Sequence, residues 1–421
     1  MRSRFAGVMA LTIGLAACQT DGSNPTGAGP MNAAATQEDL FTLVANPALN
    51  NSQQTFLANI RGRASSAEVH VARLAGTPGQ LLRQGRAVRF VLAPGQHVTA
   101  VGAQVEQRAA NDLSWAGDLQ GQRGDVQLVL TSVGVTASIR VAETLYRIEP
   151  LGGGLHAVTR IDEAGFPAEH PAEHEAGALD VPPFAPFRPN ASLSASATAL
   201  TTETVLVAYT AAAASATADI AGLIQLAFDE TNKSYSNSGV NVTLSKVYVA
   251  QVSYNESSRS FSQHVNALQS TTDGIMDIVH SWRNTYKADI VKLIVNDSEA
   301  CGMAAAIKAT ASSAFAVTHY SCATGYYSFG HEIGHLQGAR HDRYVDSSNT
   351  PYQYGHGYVD PNKTWRTIMA YGNNCGNCKR VQYWSNPNVK YPATGQAMGT
   401  TTYEHNARVL NETAATVAAF R

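Results

Sequence analysis

The stretch Phe329–Asp342 places three histidines and two acidic residues within twelve positions. His331 and His335 are four residues apart, so on an α-helix their imidazoles lie on one face, one turn apart. Gly338 follows three residues later, where a glycine can take the left-handed conformation that ends a helix and turns the chain sharply. Such a turn brings His341 back toward the other two histidines. The spacing therefore predicts a short helix that ends in a tight turn, with three imidazoles facing one point.

Three imidazoles that face one point can bind one transition-metal ion. Three protein ligands leave one coordination position open, which is typical of catalytic rather than structural zinc. Glu332 is displaced around the helix from the first ligand, so it can reach a water molecule without binding the metal itself. The alternative is a polar helix that carries its histidines by chance, but each further fixed position cuts chance matches by roughly twentyfold. The pattern favours one catalytic Zn²⁺ held by His331, His335 and His341, and leaves a structural Ca²⁺ undetermined.

The stretch HEIGHLQGARHD, residues 331–342, resembles the metzincin signature His-Glu-x-x-His-x-x-Gly-x-x-His, followed by the Asp of reprolysin-like members. Thr367–Tyr371 resembles the metzincin Met-turn, and the resemblance implies that Met369 forms an apolar floor beneath the zinc. The metzincin resemblance covers about residues 203–421. It implies that the protein is a zinc metalloendopeptidase that acts on protein or peptide substrates. Three shorter segments resemble the bacterial peptidyl-Asp metallopeptidases: Tyr354–Tyr358, Trp365–Tyr371 and Tyr383–Pro387.

The resemblance also implies roles for residues around the zinc. Glu332 is expected to be the general base, which takes a proton from the attacking water and delivers it to the leaving amine. Asp342 is expected to be a structural carboxylate that hydrogen-bonds backbone near the Met-turn and fixes His341. Tyr371 stands two residues after Met369, where astacin-like and serralysin-like metzincins have a Tyr that ligates zinc or donates to the oxyanion. Two roles are open for Tyr371: this catalytic one, or simple packing.

The substrate pocket is expected after the Met-turn, because in metzincins this part of the chain lines the pocket for the residue that follows the scissile bond. Here that segment is Gly372–Tyr383, which carries Lys379 and Arg380. A cation in the pocket favours an acidic substrate residue; the alternative is that both side chains are solvated surface charges. A peptide substrate is expected to pair with an edge strand, and Phe315–Tyr320 is the predicted edge strand.

The pattern after residue 202 predicts an α/β (α+β) domain, 202–421, with a mixed, mostly parallel sheet. The resemblance implies that it is a metzincin catalytic domain with the active-site helix. Apolar strands are predicted at 203–210, 240–252, 289–295 and 315–320, and helices at 216–234, 260–286, 329–337 and 404–420. Residues 40–165 show short strand patterns separated by Gly and Pro, which predicts a small, mainly β, propeptide-like N-terminal domain. The Pro/Ser/Ala-rich stretch 166–201 is predicted to be a linker.

The first residues predict export. Residues 1–17 combine two arginines with a short apolar run, as signal peptides do. Leu15–Cys18 resembles a bacterial lipobox, so Cys18 is the predicted lipidation site; the alternative is an ordinary signal peptide with a chance cysteine. Gln19 follows, which by the Gram-negative sorting pattern indicates the outer membrane, with secretion after processing as the alternative. Residues 18–39 are predicted to be a flexible tether, so that membrane contact occurs only through the lipid.

Four further cysteines predict two disulfides, since an even number is typical of exported proteins. Of the three pairings, Cys301–Cys322 with Cys375–Cys378 is favoured; a redox role for Cys375–Cys378 is the weaker alternative. The net charge of -2 and the lack of interleaved basic and aromatic residues argue against a nucleic-acid partner.

A β-rich domain before a metzincin domain is usually a propeptide that covers the cleft, so the N-terminal domain is a candidate intramolecular inhibitor. No cysteine lies between residues 19 and 300, so the blocking cysteine of some relatives is absent. Asp162–Glu175 is rich in potential zinc ligands and can block the site by coordination, although a solvated acidic linker is the favoured interpretation. The alternative for the whole protein is a surface binding protein with a metzincin fold and little proteolytic activity.

Overall fold

A computed structural model of the chain describes residues 38–171 and 199–421, which belong to one compact unit. The predicted signal peptide, Cys18 and most of the predicted tether and linker lie outside the described residues. Among the described residues, no helix combines the length and the apolar character that crossing a bilayer requires.

One sheet of ten strands makes up most of the N-terminal domain. Its strands are β1 (Glu38–Asp39), β2 (Phe41–Leu43), β3 (Ser66–Leu74), β4 (Ala87–Ala93), β5 (Gln96–Ala109), β6 (Asp112–Leu119), β7 (Gly124–Leu130), β8 (Val135–Val141), β9 (Thr144–Gly152) and β10 (Leu155–Ile161). Their order is β1-β4-β5-β6-β7-β8-β9-β10-β3-β2, antiparallel throughout except for the pair β1–β4. Because only Leu40 separates β1 from β2, the two ends of this order are joined and the sheet closes on itself. Helices α1 (Asn51–Gly62) and α2 (Pro78–Leu81) complete the domain.

The interior of this closed sheet is filled by side chains from alternating strand positions. Trp115 on β6 is buried, with its ring centroid 5.9 Å from that of Phe90 on β4. Gly102 and Gly117 make room for the indole, since a Cβ on either would lie only 2.7 or 2.3 Å from it. The predicted mainly β N-terminal domain is confirmed.

A second sheet of five strands is the centre of the C-terminal domain. Its strands are β11 (Thr201–Tyr209), β12 (Val242–Gln251), β13 (Ile290–Val295), β14 (Gly302–Ala304) and β15 (Phe315–His319). They lie in the order β12-β11-β13-β15-β14; only β14 is antiparallel to its neighbour. Four short strands follow in two pairs: β16 (Trp365–Arg366) with β17 (Lys379–Arg380), and β18 (Asn386–Lys390) with β19 (Ala397–Met398).

Six helices of the described C-terminal residues pack around this sheet: α3 (Ala211–Ala216), α4 (Ile220–Asn237), α5 (Phe261–Gln269), α6 (Ile278–Thr285), α7 (Ser328–Gln337) and α8 (Asn406–Val417). The histidine-bearing helix α7 is buried along its whole length and packs on α4, α8, β14 and β15. Its two glycines permit close neighbours, because a Cβ on Gly330 or Gly334 would lie 2.9 Å from Thr231 or 2.5 Å from Trp384. The sequence of α7 thus fits this position in the core.

Several sequence predictions of structure are wrong. The single helix predicted at 260–286 is two helices, α5 and α6, because the chain takes left-handed conformations at Gly274 (φ +76°) and Met276 (φ +58°) between them. Phe315–Tyr320 is not at the edge: β15 lies between β13 and β14, so β14 is the edge strand on that side and β12 on the other. Strand β14 has only three residues, too few to show a periodic pattern. The last residues of the predicted tether, Glu38 and Asp39, form β1 because they pair with β4.

The two domains pack directly against each other. Strands β7 and β8 lie on helix α4. Thr131 Oγ1 donates to Asp219 Oδ2 at 2.6 Å, and Gln127 Nε2 donates to Gln382 Oε1 at 2.7 Å. Arg140 donates to the carbonyl of Gly325, just before α7, at 3.1 Å. These contacts fix the point at which the chain leaves the closed sheet, close to the cleft of the C-terminal domain.

Candidate active site

The three histidines of the motif converge on one point. Nδ1 of His331 is 2.9 Å from the carbonyl of Ile368, and Nδ1 of His335 is 2.9 Å from the carbonyl of Ala339. A carbonyl only accepts, so both Nδ1 atoms carry the proton and both Nε2 atoms present a lone pair. These Nε2 atoms lie 3.2 and 2.9 Å from Nε2 of His341. Converging lone pairs repel each other unless a cation lies between them, so the donor set fits a metal ion.

The protonation state of His331 suits metal binding. Burial, and then the neighbouring His335, lower the pKa of His331 far below its usual value. The ring is therefore neutral at ordinary pH, which is the form that ligates metals.

The turn after α7 has the predicted left-handed glycine. Gly338 has φ +111°, and its N–H donates to the carbonyls of Gly334 and His335. The positive φ favours glycine, and a Cβ at this position would also lie 3.2 Å from both Tyr352 and Val409, which would have to shift slightly. The chain then returns His341 to the other two imidazoles.

Asp342 and Met369 connect the histidine-bearing segment with the chain around Tyr371. Oδ1 of the buried Asp342, the residue after His341, accepts from the backbone N–H of Tyr371 at 2.8 Å. This hydrogen bond joins the His341 turn to the segment Thr367–Tyr371. Burial raises the pKa of Asp342, and the hydrogen bond from Tyr371 opposes this shift. Met369 is fully buried, with its sulfur 3.2 Å from the point where a Cβ on Gly334 would stand.

Glu332 lies beside the ligands and is 1% exposed. Edge strand β14 passes so close that a Cβ on Gly302 would lie 2.3 Å from Oε1 of Glu332.

A buried lysine, Lys292, lies on the sheet side of Glu332, and its ammonium donates to Thr318 Oγ1 at 2.7 Å. Burial lowers the pKa of Lys292 to about 7, while the negative charge of Glu332 opposes the shift. Sequence reasoning missed Lys292, although a lysine inside the apolar run of β13 was a visible signal.

An acid-binding pocket lies next to the ligands. It is formed by Arg366, Arg380 and Tyr326, and both guanidinium groups are buried. Arg380 stacks on the ring of Tyr326, 4.4 Å from its centroid, and donates to the carbonyl of the same residue at 2.9 Å. The predicted pocket residue Arg380 therefore lies at the site, whereas Lys379 faces a separate surface cavity shared with Glu143 and Asp162. Arg366 and Tyr326 were not predicted; an arginine three residues before Met369 was the available signal.

The carboxylate in this pocket belongs to Glu169. It contacts Arg380 and lies 3.0 Å from Arg366, and the Tyr326 hydroxyl donates to it at 2.9 Å. Burial alone would raise the pKa of Glu169, but Arg380 and Arg366 outweigh burial and hold the pKa below its usual value. The acid is therefore ionised in the pocket.

A fourth histidine, His170, lies among the three ligands. Candidate ligand atoms of His170, His331, His335 and His341 all lie within 4.8 Å of one another. His170 Nε2 is 3.3 Å from Glu332 Oε2, and His170 Nδ1 contacts the hydroxyl of Tyr371. The favoured interpretation of Asp162–Glu175 as a solvated linker is wrong for Glu163, Glu169 and His170, because these side chains contact largely buried arginines or the histidine cluster, whereas Asp162 is exposed. Residues 172–175 lie outside the described part of the chain.

Two disulfides flank the cleft, with the predicted pairing. Cys301–Cys322 joins the residue before β14 to the turn that follows β15, with a Cα–Cα distance of 5.4 Å. Cys375–Cys378 closes the loop before Arg380, with a Cα–Cα distance of 5.3 Å. Both hold segments that form the walls of the site.

Converging imidazoles beside the buried carboxylate of Glu332 fit a metal ion that activates water, as in metal-dependent hydrolases. Comparison with known proteins agrees: the family model described as metallo-peptidase family M12 matches residues 199–385. The peptidyl-Asp metalloendopeptidase of Xanthomonas campestris pv. campestris is 41% identical over 341 residues, 78% of this chain and 80% of the relative. That of Stenotrophomonas maltophilia (strain R551-3) is 41% identical over 345 residues, 78% of this chain and 81% of the relative.

This chain belongs to the reprolysin-like M12 metallopeptidases, and it is a zinc metalloendopeptidase. Its substrates are therefore proteins or peptides, and the enzyme is favoured over the surface binding protein. Among solved structures, metalloproteinase-II from Bacteroides fragilis matches with a TM-score of 0.41 and 14% identity, over 73% of this chain and 90% of that one.

Proposed function

We propose that this metalloendopeptidase cuts peptide bonds that precede an acidic residue. The observation that carries the proposal is the ionised carboxylate of Glu169, held by Arg366, Arg380 and Tyr326 beside the histidine cluster. A substrate aspartate or glutamate has the same charged group. The names of the relatives, peptidyl-Asp metalloendopeptidases, support the same class of substrate.

The residues divide the chemistry among them. A zinc ion held by His331, His335 and His341 would lower the pKa of a water from about 15.7 to about 7. Glu332 is the general base, since its carboxylate lies beside the ligands where it can accept the water's proton and pass it to the leaving amine. Tyr371 is the oxyanion donor, because its hydroxyl reaches His170 and so points into the ligand cluster.

The acid pocket gives selectivity through desolvation. Arg366 and Arg380 are 3% and 0% exposed, so water screens their charge poorly. A buried cation without an anion is costly, and a neutral side chain in the pocket would leave both guanidiniums in that state. An acidic residue removes this cost, which discriminates against its neutral analogue.

Backbone groups of β14 and the residue before it position the substrate. The N–H groups of Cys301 and Gly302 donate to the carbonyls of Ala168 and Glu169 at 2.7 and 3.2 Å. A peptide that replaces these two residues would pair with the same edge of the sheet. This edge strand takes the role that the sequence assigned to Phe315–Tyr320.

The test combines metal content with cleavage-site mapping. The full chain, before and after limited proteolysis, is assayed on a denatured protein, with Glu332→Gln and the exposed Glu143→Gln as matched variants. We expect Glu332→Gln to keep its zinc and to lose hydrolysis by about 10²–10⁴-fold, and Glu143→Gln to behave as wild type. Cuts are expected before Asp or Glu. Cuts spread over apolar residues would refute the proposed specificity for acidic residues. Hydrolysis that survives in Glu332→Gln would refute the role of Glu332 as general base.

We also propose export as a lipoprotein, through cleavage before Cys18. The two disulfides support export to an oxidising compartment. Lipidation of Cys18 is inferred from the lipobox-like sequence Leu15–Cys18. Metabolic labelling with a radioactive fatty acid tests it. Label that persists in Cys18→Ser would exclude lipidation at this residue.

A further inference from the structure

Phe166–Pro171, here called the cleft segment, leaves the closed sheet and enters the catalytic cleft. Phe166 stacks on Tyr326 with ring centroids 4.3 Å apart, and the Arg147 guanidinium lies 5.1 Å from the Phe166 centroid. Just before it, Glu163 pairs with Arg140 at 2.5 Å. The segment is therefore anchored at its start by residues of both domains.

The backbone of the cleft segment takes the place proposed for a substrate. The carbonyls of Ala168 and Glu169 accept from Cys301 and Gly302 at the edge of the sheet. Three successive residues, Ala168, Glu169 and His170, contact the strand edge, the acid pocket and the histidine cluster. The path of the segment is thus that of an occupant of the active site.

Glu169 satisfies the buried arginines. Arg366 and Arg380 both form their carboxylate contact with Glu169. Taking the segment away would leave both guanidiniums facing the emptied pocket without this carboxylate, which is unfavourable for ions that are largely removed from water. This cost holds the segment in the cleft of the uncut chain.

His170 completes the ligand set. Its ring centroid lies 5.2 Å from those of His331 and His335 and 4.7 Å from that of His341. Three ligands leave a catalytic zinc one open position, whereas a fourth nitrogen makes the closed set typical of structural zinc. His170 also contacts Glu332 and Tyr371, the two groups assigned to the chemistry.

We propose that the uncut chain is a zymogen in which His170 is a fourth zinc ligand and Glu169 occupies the acid pocket as an internal pseudosubstrate. The assignment of Glu169 rests on the proposed function, because it requires the pocket to bind substrate acids. The assignment of His170 rests on the cluster geometry alone. The two can therefore be tested separately.

The experiment measures zinc binding and hydrolysis on the full chain. Zinc is titrated against a chromogenic chelator in a Glu332→Gln background, which prevents self-cleavage, and the visible spectrum of the Co²⁺-substituted protein is recorded. The variants are His170→Ala, His170→Cys and, as control, the exposed His97→Ala. We expect His170→Ala to weaken zinc binding at least about tenfold and to change the Co²⁺ spectrum. His170→Cys should restore tight binding because a thiolate also ligates zinc, and His97→Ala should match the background protein.

Hydrolysis is then measured with Glu332 intact, on a short peptide that contains one Asp. We expect full-length His170→Ala and Glu169→Gln to cut it at least about tenfold faster than the uncut wild type, and the exposed-site control Glu68→Gln not to. Unchanged zinc affinity and Co²⁺ spectrum in His170→Ala would overturn the fourth ligand, even if the proteolysed enzyme cuts before Asp. Altered metal binding with no cleavage before Asp, even after proteolysis, would instead refute the proposed function and with it the pseudosubstrate role of Glu169.

Discussion

Replacement of Arg380 by methionine tests the acid pocket, because it keeps an unbranched side chain but removes the cation. Arg380 is fully buried and contacts the Glu169 carboxylate. Removing one partner of such a charge pair costs about 2–5 kcal/mol. Arg366 and Tyr326 would still reach a carboxylate, as they reach Glu169 at 3.0 and 2.9 Å. We therefore take about 3 kcal/mol, which is about a 100-fold loss in kcat/KM.

The assay pairs two enzymes with two substrates. Quenched fluorescent peptides that differ only by Asp or Asn after the scissile bond are cut by proteolysed wild type and by Arg380→Met. The two changes form a double-mutant cycle, so the coupling energy isolates the interaction between Arg380 and the substrate carboxylate. We expect the Asp peptide to lose about 100-fold and the Asn peptide to change little.

Lys379→Gln is the matched control. Lys379 is the adjacent residue on β17 and has the same charge, but it lines a cavity away from the cleft. Its loss should leave the preference for Asp over Asn within about twofold, as surface charges are well screened. The pocket assignment fails if Arg380→Met slows both peptides equally, or if Lys379→Gln reproduces its effect.

Three further predictions concern stability and metal binding. Gly338→Ala should lower the free energy of unfolding by about 1–3 kcal/mol and reduce the zinc content, because residue 338 has φ +111° and its Cβ would lie 3.2 Å from Tyr352. Urea unfolding and metal analysis measure the two effects, and wild-type values in both would contradict the prediction. Asp342→Ala removes the acceptor of the Tyr371 N–H and should weaken zinc binding about 10–100-fold, whereas Asp342→Asn, which keeps an acceptor, should lose less; chelator titration distinguishes them. Burial lowers the pKa of His156 from 6.5 to about 4, so its contribution to stability is complete above pH 6.5 and is lost as the pH falls toward 4. Wild type should therefore lose about 3 kcal/mol more over this window than His156→Gln, by urea unfolding at each pH; parallel losses would refute the assignment.

The metal site was readable from the sequence because its geometry is local. Positions 331 and 335 are one helical turn apart, and the glycine turn returns His341 within six residues of His335. The backbone alone relates these positions, so residue spacing carries most of the information. Asp342 directly follows His341, and the Thr367–Tyr371 segment was found through its own residue pattern.

The edge of the sheet was not readable because nothing local defines it. Strand β14 has three residues, Gly302–Ala304, and a strand this short shows no alternation. Phe315–His319 has the apolar pattern of a strand, but whether a strand is central or at an edge depends on its partners. Only the antiparallel pairing of β14 with β15 moves the edge outward.

The content of the cleft required long-range information. His170 and Glu332 are 162 residues apart, and the closed sheet brings them together. The composition of a segment rich in acidic residues and histidines predicts that it is exposed to solvent, since most such residues are exposed. The opposite indication comes from Arg366 and Arg380, which are both buried. Buried cations need an anion, so these arginines indicate that an acidic side chain is buried with them. That signal appears only when the burial of both arginines is known.

The order Glu169-His170 explains how a segment with a preferred residue can occupy the cleft without being cut. If Glu169 fills the pocket for the residue after the scissile bond, the bond at risk is Ala168–Glu169. Its carbonyl accepts from the N–H of Cys301 at 2.7 Å, the same contact that a substrate would make at this edge, so backbone pairing alone does not protect the bond. The position beside Glu332 and Tyr371 is taken by the imidazole of His170. The segment therefore uses the binding energy of the acid pocket, while the imidazole of His170 takes the position beside Glu332 that the attacking water needs, so the Ala168–Glu169 bond stays intact in the uncut chain.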